Sequence, residues 1–165
     1  GAKLLFMGCE FGEPGEWRHH GQLSWQLLHK PLHSGLQLVV RDLNRLYRDQ
    51  PSLYRNGFEA CGFEWIDCHD STQSVLSYLR RDGADFLLIV LNFTPVVRKT
   101  YRIGVPSRGR YSEVFNSDSR FYGGSDTGNA LTIHSESLPF MGRPESLVLT
   151  LPPLGALIMR LLPED

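Results

Sequence analysis

Leu4-Leu5-Phe6-Met7 is an unbroken apolar run near the start of the chain. Successive side chains of a strand point to opposite faces, so residues 3–8 read as a strand buried on both, as in a parallel sheet. The stretch 8–15 holds three glycines and a proline and reads as a loop. Leu36, Val39, Val40, Leu43, Leu46 and Tyr47 then recur at three- and four-residue spacing. That period puts them on one face of a helix over residues 34–50. Ser34 suits its N-cap, with Gln37 completing a capping box. Arg41, Asp42, Arg45 and Arg48 lie on the other side, and Pro51 ends it.

From residue 63 the period changes to two. Residues 63–67 alternate, and residues 74–80 place Val75, Ser77 and Leu79 on one face and Leu76 and Tyr78 on the other. Asp82-Gly83 signals a hairpin into a core strand over 84–93. Further strands are expected over 101–105, 110–115, 146–151 and 155–162. About seven short strands separated by turns predict a β-sandwich. Residues 116–129, rich in Ser, Asp and Gly, form a long loop. The expected fold is therefore mainly β, preceded by one strand-loop-helix unit. Such a unit belongs to α/β architecture and cannot form a domain alone. It reads as the tail of a larger α/β domain over residues 1–57, with the all-β part over 58–165. No internal repeat is present.

Composition narrows the function classes. The chain has 165 residues, 41% of them apolar and 21% charged, which fits a folded globular protein. Seventeen Lys and Arg against eighteen Asp and Glu leave a net charge of −1. That removes the usual electrostatic case for a nucleic-acid partner. Apolar runs reach about six residues where a membrane span needs about twenty, and no secretory signal is recognisable. Neither nucleic acid nor membrane is expected as a partner. Three cysteines in no paired spacing suggest reduced thiols, buried or inert, in a reducing compartment. Asn92-Phe93-Thr94 matches a glycosylation sequon but lies in a strand and precedes Pro95, so it reads as coincidence.

Candidate chemistry concentrates in the first loop. Glu10, Glu13 and Glu16 share it with Trp17, His19 and His20. Carboxylates beside an aromatic ring suit a sugar, whose hydroxyls need acceptors and whose C–H face stacks on a ring. A loop after a buried parallel strand is also where α/β folds build sites. The plainer reading is a solvated acidic loop with Trp17 partly buried. His19-His20 lacks metal-ligand spacing, so no metal or other cofactor is expected. The glycine-rich stretches 12–15 and 122–125 read as turns rather than phosphate cradles. Trp25 and Trp65 read as core aromatics.

Longer motifs carry a resemblance. The run from Lys3 through Gly12, then Glu16-Trp17-Arg18-His19, Leu23-Ser24-Trp25 and residues 40–47, is similar to bacterial 1,4-α-glucan (glycogen) branching enzymes. So are Gly62-Phe63-Glu64-Trp65-Ile66, residues 92–96, Asn116-Ser117-Asp118, residues 122–125, 142–147 and 151–154. The match runs essentially end to end, although the Glu13-Pro14-Gly15 loop departs from it.

The resemblance implies the C-terminal portion of an α-amylase superfamily enzyme. Residues 3–8 and 34–50 would be the last strand and helix of a (β/α)8 barrel, and the remainder its C-terminal β-sandwich. The family's reaction is retaining glucan transfer, which needs two carboxyls about 5–5.5 Å apart. The motifs bearing its nucleophile, acid and third carboxylate are absent here, so no residue is expected to be catalytic. Glu10, Trp17 and Arg18 are the expected substrate-binding residues. The expected partners are α-1,4-glucan or glycogen and the rest of the barrel, in the cytoplasm. Two other readings stay open. One is a stand-alone glucan-binding module using Trp17, Phe121 or Tyr122. The other is a structural domain whose apolar helix face (Leu36, Val39, Leu43, Leu46) would be left exposed, so that deleting residues 1–57 should improve solubility.

Overall fold

The computed structural model describes residues 3–163. Among these residues eight strands follow one α-helix: α1 (Pro31–Asp49), β1 (Phe63–Asp70), β2 (Val75–Asp82), β3 (Asp85–Asn92), β4 (Arg98–Val105), β5 (Arg110–Asn116), β6 (Ile133–His134), β7 (Glu145–Leu151) and β8 (Gly155–Leu161). They form a six-stranded sheet in the order β1-β2-β3-β8-β5-β6 and a two-stranded sheet β4-β7, with antiparallel pairing throughout. The two-residue strand β6 carries no sequence signal of its own.

The two sheets enclose the main core. Val75 and Leu79 of β2, Phe86, Leu88 and Val90 of β3 and Leu157 and Met159 of β8 meet Tyr101, Ile103 and Val105 of β4 and Leu147, Leu149 and Leu151 of β7. The alternation in β2 therefore assigns its buried face as expected. Strand β3 does not alternate because both its faces are covered. Leu87 and Ile89 join Phe115 and Ile158 in a second cluster on the outer face of the large sheet. A register shift between Glu113 and Phe115 lets β5 serve both cores, with Tyr111 inward and Phe115 outward. The β2–β3 turn is Gly83-Ala84, with Gly83 at φ 62°, where glycine has no Cβ to clash.

Helix α1 covers the second cluster through Val39 and Leu46. It begins three residues before the expected cap. Pro31 occupies the first turn, where its missing N–H costs nothing, and Lys30 is the N-cap. Ser34 is inside the helix and its Oγ donates to the Pro31 carbonyl at 3.0 Å, so no capping box forms. The apolar stripe divides: Val39 and Leu46 pack on the sheet, while Leu36 and Leu43 remain over a third exposed. Gly35 is buried against the 120–123 turn, and a Cβ there would come within 2.1 Å of the Tyr122 carbonyl oxygen.

Three other expectations are corrected. Residues 3–6 form no strand, and Leu4 is 86% exposed. A strand needs a neighbour to take its backbone hydrogen bonds, and no described strand lies beside this segment. Trp25 and Trp65 are about half exposed rather than core. Trp25 leans on buried Phe11, and Trp65 lies on edge strand β1 against Phe63 and Tyr78. The thiols are not buried either: Cys9 and Cys61 are exposed and Cys68 partly so. Asn92, by contrast, is internal. Its Nδ2 donates to the Val96 and Pro152 carbonyls, and its Oδ1 accepts from Thr94. That use of the amide agrees with reading the sequon as coincidence. No described helix is long and apolar enough to cross a membrane.

Candidate functional site

The loop carrying the candidate residues is held at a narrow stem. Met7, Gly8 and Gly12 all take positive φ, turning the chain around the short 3-10 turn Cys9–Phe11. Phe11 is fully buried, its ring 5.3 Å from that of Trp25, and its carbonyl contacts His33 Nδ1 at 2.8 Å. Next along the chain, Glu13 grips Ser24. The Ser24 backbone N–H donates to Oε2 and its hydroxyl donates to Oε1, both at 2.8 Å. Residues 14–23 project beyond this stem, and one backbone hydrogen bond, Gly21 N–H to the Arg18 carbonyl, lies within them.

The expected substrate-binding residues occupy two places. Trp17 and Arg18 line a cavity of about 320 Å³ together with Glu13, Glu16, Gly21 and Ser24. Trp17 is 51% exposed and meets Phe6 edge to face at 5.5 Å. Its free face suits stacking on an apolar ring face. Glu10 instead lines a groove of about 700 Å³ between the first loop and α1, beside Met7, Val40 and Asn44. Leu23 is common to both linings. The three residues therefore do not converge on one pocket. The His19 and His20 rings meet tilted, with centres 3.6 Å apart, and no group of three or more metal-ligating side chains exists among the described residues.

The aromatics suggested for a stand-alone module differ in setting. Phe121 is 75% exposed, whereas Tyr122 is half-buried. The Tyr122 ring lies against Phe115 and its hydroxyl donates to Asp42 Oδ2 at 2.9 Å. Burial and that hydrogen bond push the Tyr122 hydroxyl up to about 12. The Arg41 guanidinium and the Tyr122 hydroxyl hold the Asp42 carboxyl below the usual carboxylate range. Tyr122 is thus engaged in docking the helix.

Sequence reasoning missed the Glu13–Ser24 pair and the Asp42–Tyr122 bond, which is 80 residues apart in sequence. Glu13 was legible as a carboxylate in the loop. Its partner was not, because no periodicity links positions 13 and 24.

Residues 65–161 match the family described as "Alpha amylase, C-terminal all-beta domain". The chain belongs to this family. The matched stretch of the α-amylase C-terminal all-β domain runs from within β1 to the end of β8. The chain is 56% identical over 161 residues to the 1,4-alpha-glucan branching enzyme GlgB of Cellvibrio japonicus (strain Ueda107), covering 98% of this chain and 22% of that protein. The enzyme of the same name from Nitrosococcus oceani gives the same identity and coverage. The chain thus spans about a fifth of the length of these curated relatives. Its resemblance to branching enzymes extends through the α-amylase domain and the segment before it. Among solved structures, the α-amylase from H.orenii superposes with a TM-score of 0.54 at 18% identity, over 94% of this chain and 31% of that one. That likeness shows a shared fold.

Proposed function

We propose that this chain is the C-terminal portion of a 1,4-α-glucan branching enzyme acting on glycogen in the cytoplasm. Residues 1–57 are the tail of its catalytic barrel and residues 58–165 its all-β domain. The observation that carries this reading is the 56% identity over 98% of the chain to one fifth of a branching enzyme. The exposed apolar run at residues 4–6 and the partly exposed Leu36 and Leu43 support it, because neighbouring barrel elements would cover them.

In this reading the parent enzyme cleaves an α-1,4 bond through a covalent glycosyl intermediate and passes the glucan to a 6-hydroxyl. Its two working carboxylates lie elsewhere in the parent. This chain supplies Trp17 as a stacking ring and Arg18 as a donor to sugar hydroxyls in one pocket, with Glu10 as an acceptor in the neighbouring groove. No catalytic residue lies within it. Incubated with amylose, the purified chain should produce no new branch points, while the full-length protein should produce them; branching by the chain alone would overturn the assignment. Retardation of the chain in a glycogen gel, lost in Trp17→Ala or Phe121→Ala, would favour a stand-alone glucan-binding module.

A further inference from the structure

The Glu13–Ser24 pair is a double hydrogen bond across an otherwise loosely tied loop. Residues 14–23 contain one backbone hydrogen bond of their own and touch Phe6 through Trp17, so the rest of their shape depends on the stem that joins their ends. Two contacts make that stem. The Phe11–Trp25 ring contact is apolar and non-directional, with rings tilted by 37°. The Glu13 carboxylate is directional: it takes the Ser24 N–H and hydroxyl on its two oxygens. Ser24 in turn begins the 3-10 turn Trp25–His29, so the carboxylate also satisfies a backbone donor that the turn leaves open. Glu13 itself is anchored through its N–H to the Gly8 carbonyl. A Cβ at Gly8 would lie 2.8 Å from Glu13 Cβ, so the glycine leaves the space that Glu13 occupies at the stem.

We propose that Glu13 is a positioning residue for glucan binding. By closing the loop on Ser24 it sets where Trp17 and Arg18 stand in their shared pocket, without touching substrate. This rests on the reading of Trp17 and Arg18 as glucan-binding residues. A glutamine can keep both bonds, with Oε1 accepting from the Ser24 N–H and Nε2 donating to the Ser24 hydroxyl, while removing the charge. An alanine keeps neither.

The test uses the full-length protein with amylose. Glu13→Ala should raise KM about fivefold with kcat within about twofold, the scale of one or two lost hydrogen bonds. Glu13→Gln should restore KM, and Ser24→Ala, which loses one of the two bonds, should fall between. Trypsin cleavage after Arg18 should accelerate in Glu13→Ala and return to the parental rate in Glu13→Gln; this readout needs no glucan. A Glu13→Gln variant as impaired as Glu13→Ala would mean that the charge meets substrate directly, and would overturn the proposal. So would an unchanged KM in Glu13→Ala alongside a raised KM in Trp17→Ala. If neither Trp17→Ala nor Arg18→Ala raises KM, the binding-site reading falls and this proposal falls with it, whatever the trypsin result.

Discussion

Asn92 shows how a single side chain can be committed inward. It is 2% exposed, and its amide ties the end of β3 to Thr94, Val96 and Pro152. Removing it leaves two carbonyls and two donors without their partner in a dry site, which costs more than the bonds themselves contribute. Asn92→Ala should therefore lower the stability of the chain by about 2–3 kcal/mol. For a protein of this size that is a fall in Tm of about 5–10 °C, measurable by circular dichroism. No change in Tm would mean that water replaces the amide without cost.

At the scale of elements, α1 meets the large sheet through an apolar and a polar contact. Val39 and Leu46 cover Leu87, Ile89, Phe115 and Ile158, while Asp42 accepts from Tyr122. The polar contact makes docking dependent on pH. The Asp42 carboxyl is held below its ordinary 3.8 by the Arg41 guanidinium and the Tyr122 hydroxyl. Its contribution is present above that value and fades as pH falls through the lowered folded value. The Tyr122 hydroxyl is raised from 10.0 to about 12 by burial and by Asp42. Its contribution is whole below pH 10 and is lost as pH rises toward 12. Tyr122→Phe should destabilise the chain by about 0.5–1.5 kcal/mol at pH 7. It should also lose less stability than the parent between pH 9 and 11, as followed by urea unfolding. Equal losses in the two proteins would show that the bond does not hold in solution.

For the whole molecule, residues 1–57 present two faces. Leu36 and Leu43 stay over a third exposed, which is the patch behind the expected gain in solubility on deletion. Val39 and Leu46 of α1, with Leu53, cover the second apolar cluster. The short segment after the helix also holds β2: Arg80 donates to the Leu53 carbonyl at 3.1 Å, and Arg55 pairs with Asp82 at 3.1 Å. Deleting residues 1–57 should therefore lower Tm and promote association, because Leu87, Ile89, Phe115 and Ile158 would lose their cover. Sedimentation velocity would show this as mass above the monomer. A monomeric, equally stable truncation would mean that the sandwich needs no helix.

Local pattern by itself determined most of the elements here. The period-two run of β2, the Gly83 turn and the three- and four-residue spacing of α1 are properties of adjacent residues, and each element is present, α1 starting three residues earlier than its expected cap. Long motifs likewise pointed to the family without any structure. Tertiary structure decided the rest, because each remaining choice depends on a partner distant in the chain. Residues 3–6 have strand composition but no strand beside them, so their backbone has nothing to pair with. Ser34 has the chemistry of a cap, but Pro31 starts the helix first. Trp65 alternates like a core residue, yet it sits on an edge strand where one side stays open. Glu13 shares the acceptor chemistry of the loop carboxylates, but the fold brings Ser24 against both of its oxygens.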